Sequence, residues 1–240
     1  MNAADPNLPL LESMVAALGP LCDRFVFVGG CITGLLVTEP ASPLVRATRD
    51  VDVIVQVVSL GEYHSLERQL ERAGFSHDRR QDAPVCRWLA AGAMLDVMPT
   101  DQTILGFGNR WYEEAVRTAS LHSLPSGRHI RLITAPVFVA TKLEAFADRG
   151  GSDFLASHDL EDITTLIDGR PELVDEATTA SAQLRDYLTT GFQTLLQTPA
   201  FVDALPGHLP GDTASQARLP IILERLQRIA RSSHPGASDA

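Results

Sequence analysis

The chain has 240 residues, 45% of them hydrophobic, which suits one large domain or two small ones and excludes an intrinsically disordered chain. A formal net charge of −10 argues against a non-specific nucleic-acid binder, which needs a basic surface to displace counterions, while leaving room for a local basic cleft. No apolar run approaches the roughly 18 residues of a membrane span. The acidic N-terminus lacks the basic region of a signal peptide. Cys22, Cys31 and Cys86 form no Cys-x-x-Cys pair, so they read as reduced core residues of a cytoplasmic protein.

Leu10, Leu11, Met14, Val15 and Leu18 recur at helical spacing and predict a helix over Leu8–Leu18, closed by Gly19-Pro20. Phe25–Val28 is an apolar run that reads as a short buried strand. Gly29-Gly30 follows, and Cys31–Val37 reads as a short helix. Such a turn can take a phosphate, because glycine lets backbone approach a ligand and a helix start offers unpaired N–H groups. The same glycines also occur where a turn needs only their φ. Thr38–Arg49 reads as a loop through Pro40 and Pro43. Its Arg46 and Arg49 could meet phosphates or pair with acidic neighbours.

Val51–Val58 predicts the first long strand, and Gly61–Ala73 a helix closed by Gly74. Cys86–Leu89 and Met94–Met98 predict a hairpin that turns through Ala91-Gly92. Trp111–Thr118 reads as a helix, then Ser120–Leu124 and His129–Ile133 as strands around Ser126-Gly127. From Ala135 onward the pattern predicts helices alone. They are Ala135–Arg149, a Ser157-capped helix to Ile167 ended by Asp168-Gly169, Pro171–Gly191, Phe192–Gln197 and Ala214–Ile229, with a turn over Pro206–Gly211. The tail from Ser232 is polar and expected to fray. The fold class is therefore α+β, with a mixed domain over residues 1–134 and a helical one over 135–240.

Within Arg49-Asp50-Val51-Asp52-Val53-Ile54-Val55, two carboxylates sit two residues apart in a β-branched run. On a strand they share one face, with Val51, Val53 and Val55 on the other. Two like charges so close are costly to bury unless a cation bridges them. Mg²⁺ takes oxygen ligands, often one or two carboxylates together with substrate phosphates. A solvated strand end is the duller reading of the pair. Leu95-Asp96-Val97-Met98 places a third carboxylate inside an apolar strand. Lys142 is the only lysine, every other cationic side chain being arginine. A compact ammonium acts as a point charge toward phosphate. Pairing with Asp159 between two helices is the structural alternative.

In this order and strand context, Gly29-Gly30, Asp50-x-Asp52 and Asp96 resemble the polymerase-β-like nucleotidyltransferase superfamily. Three further motifs resemble its AbiEii/MenT-type branch, which includes toxin nucleotidyltransferases of bacterial toxin–antitoxin systems. They are Arg46-x-Thr48-x-Asp50-x-Asp52, Lys142-x-x-Ala145-x-x-x-Arg149 and Ser157-His158-Asp159-x-x-Asp162. The resemblance spans Phe25 to Ile167. It implies a nucleotidyltransferase-like mixed sheet with flanking helices, followed by a C-terminal helical bundle. It also implies Mg²⁺-dependent transfer of NMP from an NTP to an acceptor hydroxyl, on an RNA 3′ end such as that of tRNA, on a protein side chain or on a small molecule of the aminoglycoside type. Asp50, Asp52 and Asp96 would then be catalytic and hold two Mg²⁺ ions, Asp96 also helping to deprotonate the attacking hydroxyl. Gly29, Gly30, Thr33, Arg46, Arg49, Lys142 and Asp159 would bind the nucleotide. An antitoxin protein would be a partner, and no membrane would be involved. A catalytically silent nucleotide-binding or interaction module on the same fold is the competing reading.

Overall fold

The computed structural model describes residues 5–42 and 45–232. Pro43 of the predicted loop and the predicted tail beyond Ser232 lie outside the described residues. Backbone contacts separate two units: residues 5–34 with 46–134, and residues 35–42 and 45 with 135–232. Among the described residues no helix is long and apolar enough to cross a membrane.

The first unit is built on a mixed sheet. Helix α1 (Leu8–Leu18) buries Leu11, Met14, Val15 and Leu18, the stripe its spacing predicts. Strand β1 (Phe25–Val28) is buried along its whole length and runs into a turn at Gly29. A 3₁₀ turn (Gly30–Ile32) and helix α2 (Thr33–Leu36) follow. Strand β2 is Asp50–Val55. The predicted strand ran on to Val58, but pairing stops at Val55. Val57 is buried and Val58 exposed off the end of the ladder, a distinction that hydrophobicity alone does not carry. Helix α3 (Leu60–Arg72) is capped by the Ser59 hydroxyl, which accepts from the Glu62 N–H.

A two-residue strand β3 (Ser76–His77), which no periodicity announced, joins β4 (Arg87–Ala90) and β5 (Ala93–Pro99). The β4–β5 turn puts Ala91 and Gly92 both at positive φ (53° and 75°), the twist that closes a two-residue hairpin. Helix α4 (Tyr112–Thr118) and strands β6 (Ser120–Ser123) and β7 (His129–Leu132) complete the unit. Among the described residues seven strands form one sheet in the order β3-β4-β5-β2-β1-β7-β6. β2–β5 and β1–β7 are parallel and the other pairs antiparallel. Registered neighbours share a sheet face. Phe25, Phe27, Val51, Val53, Val55, Trp88, Leu95 and Val97 therefore stand together, and all are buried. The cysteines are free and buried. Burial pushes the Cys22 thiol up to about 11 and those of Cys31 and Cys86 to about 12, so none is a thiolate at neutral pH.

The second unit is helical: α5 (Ala135–Asp148), α6 (His158–Gly169), α7 (Leu173–Thr179), α8 (Ala182–Leu196), α9 (Pro199–Ala204), α10 (Thr213–Gln216) and α11 (Leu219–Ala230). Here the sequence reading misplaced several ends. The expected helix Pro171–Gly191 is two, because the chain leaves helical geometry at Ala180 and Ser181 caps α8 by accepting from the Leu184 N–H. Gly191 does not end a helix. It lies inside α8, where an added Cβ would come within 3.1 Å of Leu143 Cδ1, so its missing side chain admits a close approach to α5. Gly169 does end α6, as expected, and its Cβ position lies 2.9 Å from Val37 and 2.8 Å from Ser42 Oγ. The expected last helix is also two, with Pro220 at the start of α11.

Candidate functional site

β2 lies between β1 and β5, and its alternation decides what each side chain meets. Val51, Val53 and Val55 face the core, whereas Asp50 and Asp52 share the opposite face and remain half-buried. Asp52 is registered with Val28 on one side and with Asp96 of β5 on the other. Asp96 is in turn opposite Arg87 of β4. Asp50, Asp52, Asp96 and Arg87 therefore occupy one patch of one sheet face.

Arg87 joins two of the carboxylates in that patch. Its Nε donates to Asp96 Oδ1 at 2.8 Å, and its Nη2 donates to Asp96 Oδ2 at 2.6 Å and to Asp50 Oδ2 at 3.2 Å. The fork engages both oxygens of Asp96, the geometry in which arginine binds a carboxylate most strongly. The Asp96 hydrogen bonds, ahead of the charges of Asp96 and Asp50, push the Arg87 pKa further up. The Asp96 side chain is only 10% exposed and that of Arg87 18%, so the pair is poorly screened. The structure thus brings Asp96 to the face of Asp50 and Asp52 but commits its carboxylate to an arginine. Among the described residues no three Asp, Glu, His or Cys side chains are grouped to hold a metal ion. Sequence reasoning missed Arg87, although the signal was present. Counting back from a two-residue turn at Ala91-Gly92 pairs Arg87 with Asp96.

Gly29 supplies the other wall. It adopts φ 71° and ψ −173°, and a Cβ built on it would lie 1.9 Å from Asp52 Oδ2. The carboxylate of Asp52 is folded against bare backbone that any other residue would cover. Asp50 and Asp52 present hard carboxylate oxygens side by side, the donor type Mg²⁺ takes, and the Gly29 cradle keeps the approach to Asp52 narrow. That donor set suits one such cation. Gly30 is buried at the start of the 3₁₀ turn. Thr33 is buried as well, and its hydroxyl meets no hydrogen-bond partner among the described residues.

The lead-in to β2 is pinned by Asn7, a residue the sequence did not single out. Asn7 is fully buried, its Oδ1 accepts from the Thr48 N–H at 2.8 Å, and its Nδ2 donates to the Arg46 carbonyl at 2.8 Å. The Thr48 hydroxyl donates to the Asp50 carbonyl at 3.2 Å. Arg46 is half-buried in this segment and Arg49 exposed. Arg49 lines a cavity of about 790 Å³ together with Leu10, Thr48, Arg80, Leu89 and Met94. Met94 is the strand partner of Asp50, so that cavity opens beside the carboxylate patch.

Lys142 and Asp159 belong to the helical unit. Lys142 Nζ lies 2.7 Å from Asp162 Oδ2 and 3.3 Å from Asp159 Oδ1, and Arg149 also donates to Asp159. Lys142 lies on α5 and Arg149 just past its end, while Asp159 and Asp162 are three apart on α6, so the four charges meet as one ion cluster. The structural alternative for Lys142, pairing with Asp159, is therefore present. Both aspartate side chains are 4% exposed, and removing the ammonium takes a close positive charge from each. Lys142→Ala is expected to lower stability by about 3 kcal/mol in urea unfolding. A change under about 0.5 kcal/mol would show that the cluster contributes little to the fold.

Neither a protein-family model nor a curated protein matches the chain. Solved structures do. The chain is similar to an antigenic nucleotidyltransferase-like protein from Paracoccidioides brasiliensis at 20% identity, over 86% of this chain and 94% of that one, with a TM-score of 0.50. It is also similar to JHP933 from Helicobacter pylori at 13% identity, over 92% and 89% of the two chains, with a TM-score of 0.47. The first likeness shows the fold, a nucleotidyltransferase-like mixed sheet flanked by helices.

Proposed function

We propose that this chain is a Mg²⁺-dependent nucleotidyltransferase that moves NMP from an NTP to an acceptor hydroxyl. The observation that supports this most is the placing of Asp50 and Asp52 on one face of β2, with Asp52 folded onto the backbone of Gly29. Asp50 and Asp52 hold the cation that accompanies the triphosphate. When bound, that ion stabilises negative charge on the phosphoryl oxygens and on the departing pyrophosphate. Gly29 and Gly30 let the triphosphate lie close to the main chain, where a side chain would exclude it. Arg49, exposed at the cavity beside Asp50, and Arg46 in the same lead-in offset phosphate charge. Asn7 orients these groups by holding Arg46 and Thr48 in place. Thr33, Lys142 and Asp159 take their nucleotide-binding roles from the resemblance alone, as do the AbiEii/MenT-type assignment, the tRNA 3′ end as acceptor and an antitoxin partner.

Incubation of the full chain with each α-labelled NTP, Mg²⁺, total RNA and cell lysate tests this reading. One labelled species that depends on Mg²⁺ is expected, and its recovery as tRNA would favour the toxin branch over a small-molecule acceptor. A second reading, the catalytically silent nucleotide-binding module, is favoured by Arg87. Both oxygens of Asp96 are engaged by Arg87, so the third carboxylate serves as an ion-pair partner in this structure. Mg²⁺-dependent NTP binding in calorimetry with no labelled product would select that reading. Absence of Mg²⁺-dependent binding for every NTP would eliminate both.

A further inference from the structure

Arg87 occupies the place where a third carboxylate would otherwise meet a second ion. We infer that its guanidinium is a built-in cation, so that the patch loads one divalent ion rather than two. The inference rests on the reading of Asp50 and Asp52 as a cation site.

Three observations carry it. First, the position of Arg87 is set by backbone. It sits opposite Asp96 within a strand pair whose register follows from the Ala91-Gly92 turn. Its approach to Asp96 is therefore a property of the sheet, not of a mobile loop. Second, the contacts engage both oxygens of Asp96 and one of Asp50. Arg87 gives Asp96 two hydrogen bonds, at 2.8 and 2.6 Å, and gives Asp50 one at 3.2 Å. A dication bridging Asp50 and Asp96 would compete for the same oxygens. Third, the charge cannot be removed by titration, because a guanidinium stays protonated throughout the working pH range. A divalent ion between Asp50 and Asp96 would lie against that fixed charge, which is least screened on the covered Asp96 side. Asp52 is the strand neighbour of Asp96, and its carboxylate lies at the Gly29 turn. The ion that arrives with a triphosphate is thus expected at the Asp52 side of the patch, with Arg87 supplying the positive charge at the Asp96 side.

Arginine could also serve only to hold β4 on β5, so the test must read ions as well as stability. Equilibrium dialysis with Mn²⁺, monitored by electron paramagnetic resonance, counts bound ions in the presence of α,β-methylene analogues of ATP, GTP, CTP and UTP. The wild-type chain is expected to hold one Mn²⁺ per bound analogue, and Arg87→Gln two. Arg87→Lys, which keeps a charge but loses the fork, is expected to stay at one. Circular dichroism confirms that each variant is folded, and the wild-type count alone decides the matter if Arg87→Gln is not. Two ions in the wild type would overturn the inference while leaving the cation site at Asp50 and Asp52 intact. One ion in a folded Arg87→Gln chain would also overturn it. No ion with any analogue in the wild type would overturn the cation-site reading itself, and the inference with it.

Discussion

Asp52→Asn is expected to lower NMP transfer by about 10²–10³-fold, the loss typical when one preorganised electrostatic group at a reacting phosphate is removed. The substitution keeps the shape that packs against Gly29 and one of the two oxygens, and it removes the negative charge. A neutral amide is a weak ligand for Mg²⁺ beside a carboxylate, so the Mg²⁺-dependent part of NTP binding should fall with the transfer rate. The fold should survive, because Asp52 stands on the half-buried side of β2 while Val51 and Val53, wholly buried on the other side, hold the strand in the core. A half-exposed polar replacement of equal size usually changes stability by no more than about 0.5 kcal/mol. The two effects are thus separable: transfer and Mg²⁺-dependent heat collapse, and the unfolding midpoint moves by at most a few degrees. Asp52→Asn protein that transfers NMP at the wild-type rate would refute the role of the carboxylate pair.

The features legible before any coordinates were those whose cause is local. A period of two puts Asp50 and Asp52 on one face whatever else the chain does, and both do share a face. The stripe of α1 and the turn at Ala91-Gly92 are local in the same sense. What escaped depends on separate stretches meeting. Asn7 reaches Thr48 across 41 positions, and nothing around Asn7 advertises it. Arg87 was readable as the strand partner of Asp96, yet its bond to Asp50 needs β2 laid beside β5, a parallel pairing that no hairpin rule supplies. Gly191 looked like a helix end because glycine has two uses, and only packing reveals which applies. The solitary Lys142 drew attention as a phosphate ligand. In the structure Asp159 and Asp162 on α6 both lie within ion-pair distance of its ammonium.

Gly29→Ala carries the largest expected cost to the fold, and it also tests the cradle. Two penalties act at this position. The backbone sits at φ 71° and ψ −173°, a conformation essentially restricted to glycine that costs another residue about 1–3 kcal/mol. A methyl group would also lie 1.9 Å from Asp52 Oδ2 and 2.7 Å from Asp52 Cβ, so Asp52 or the turn must move. Gly127→Ala separates the two, because Gly127 has φ 80° but, among the described residues, nothing within 4 Å of its Cβ position. The Gly127 variant should show strain alone, whereas the Gly29 variant should unfold earlier by a further margin and lose Mg²⁺-dependent NTP binding as Asp52 is displaced. Asp52→Gly in the Gly29→Ala background removes the collided atoms and should recover about 1 kcal/mol relative to additive expectation, which a double-mutant cycle in urea measures. Additive losses would mean that Gly29 answers only to its own backbone, and that the contact with Asp52 does not constrain it.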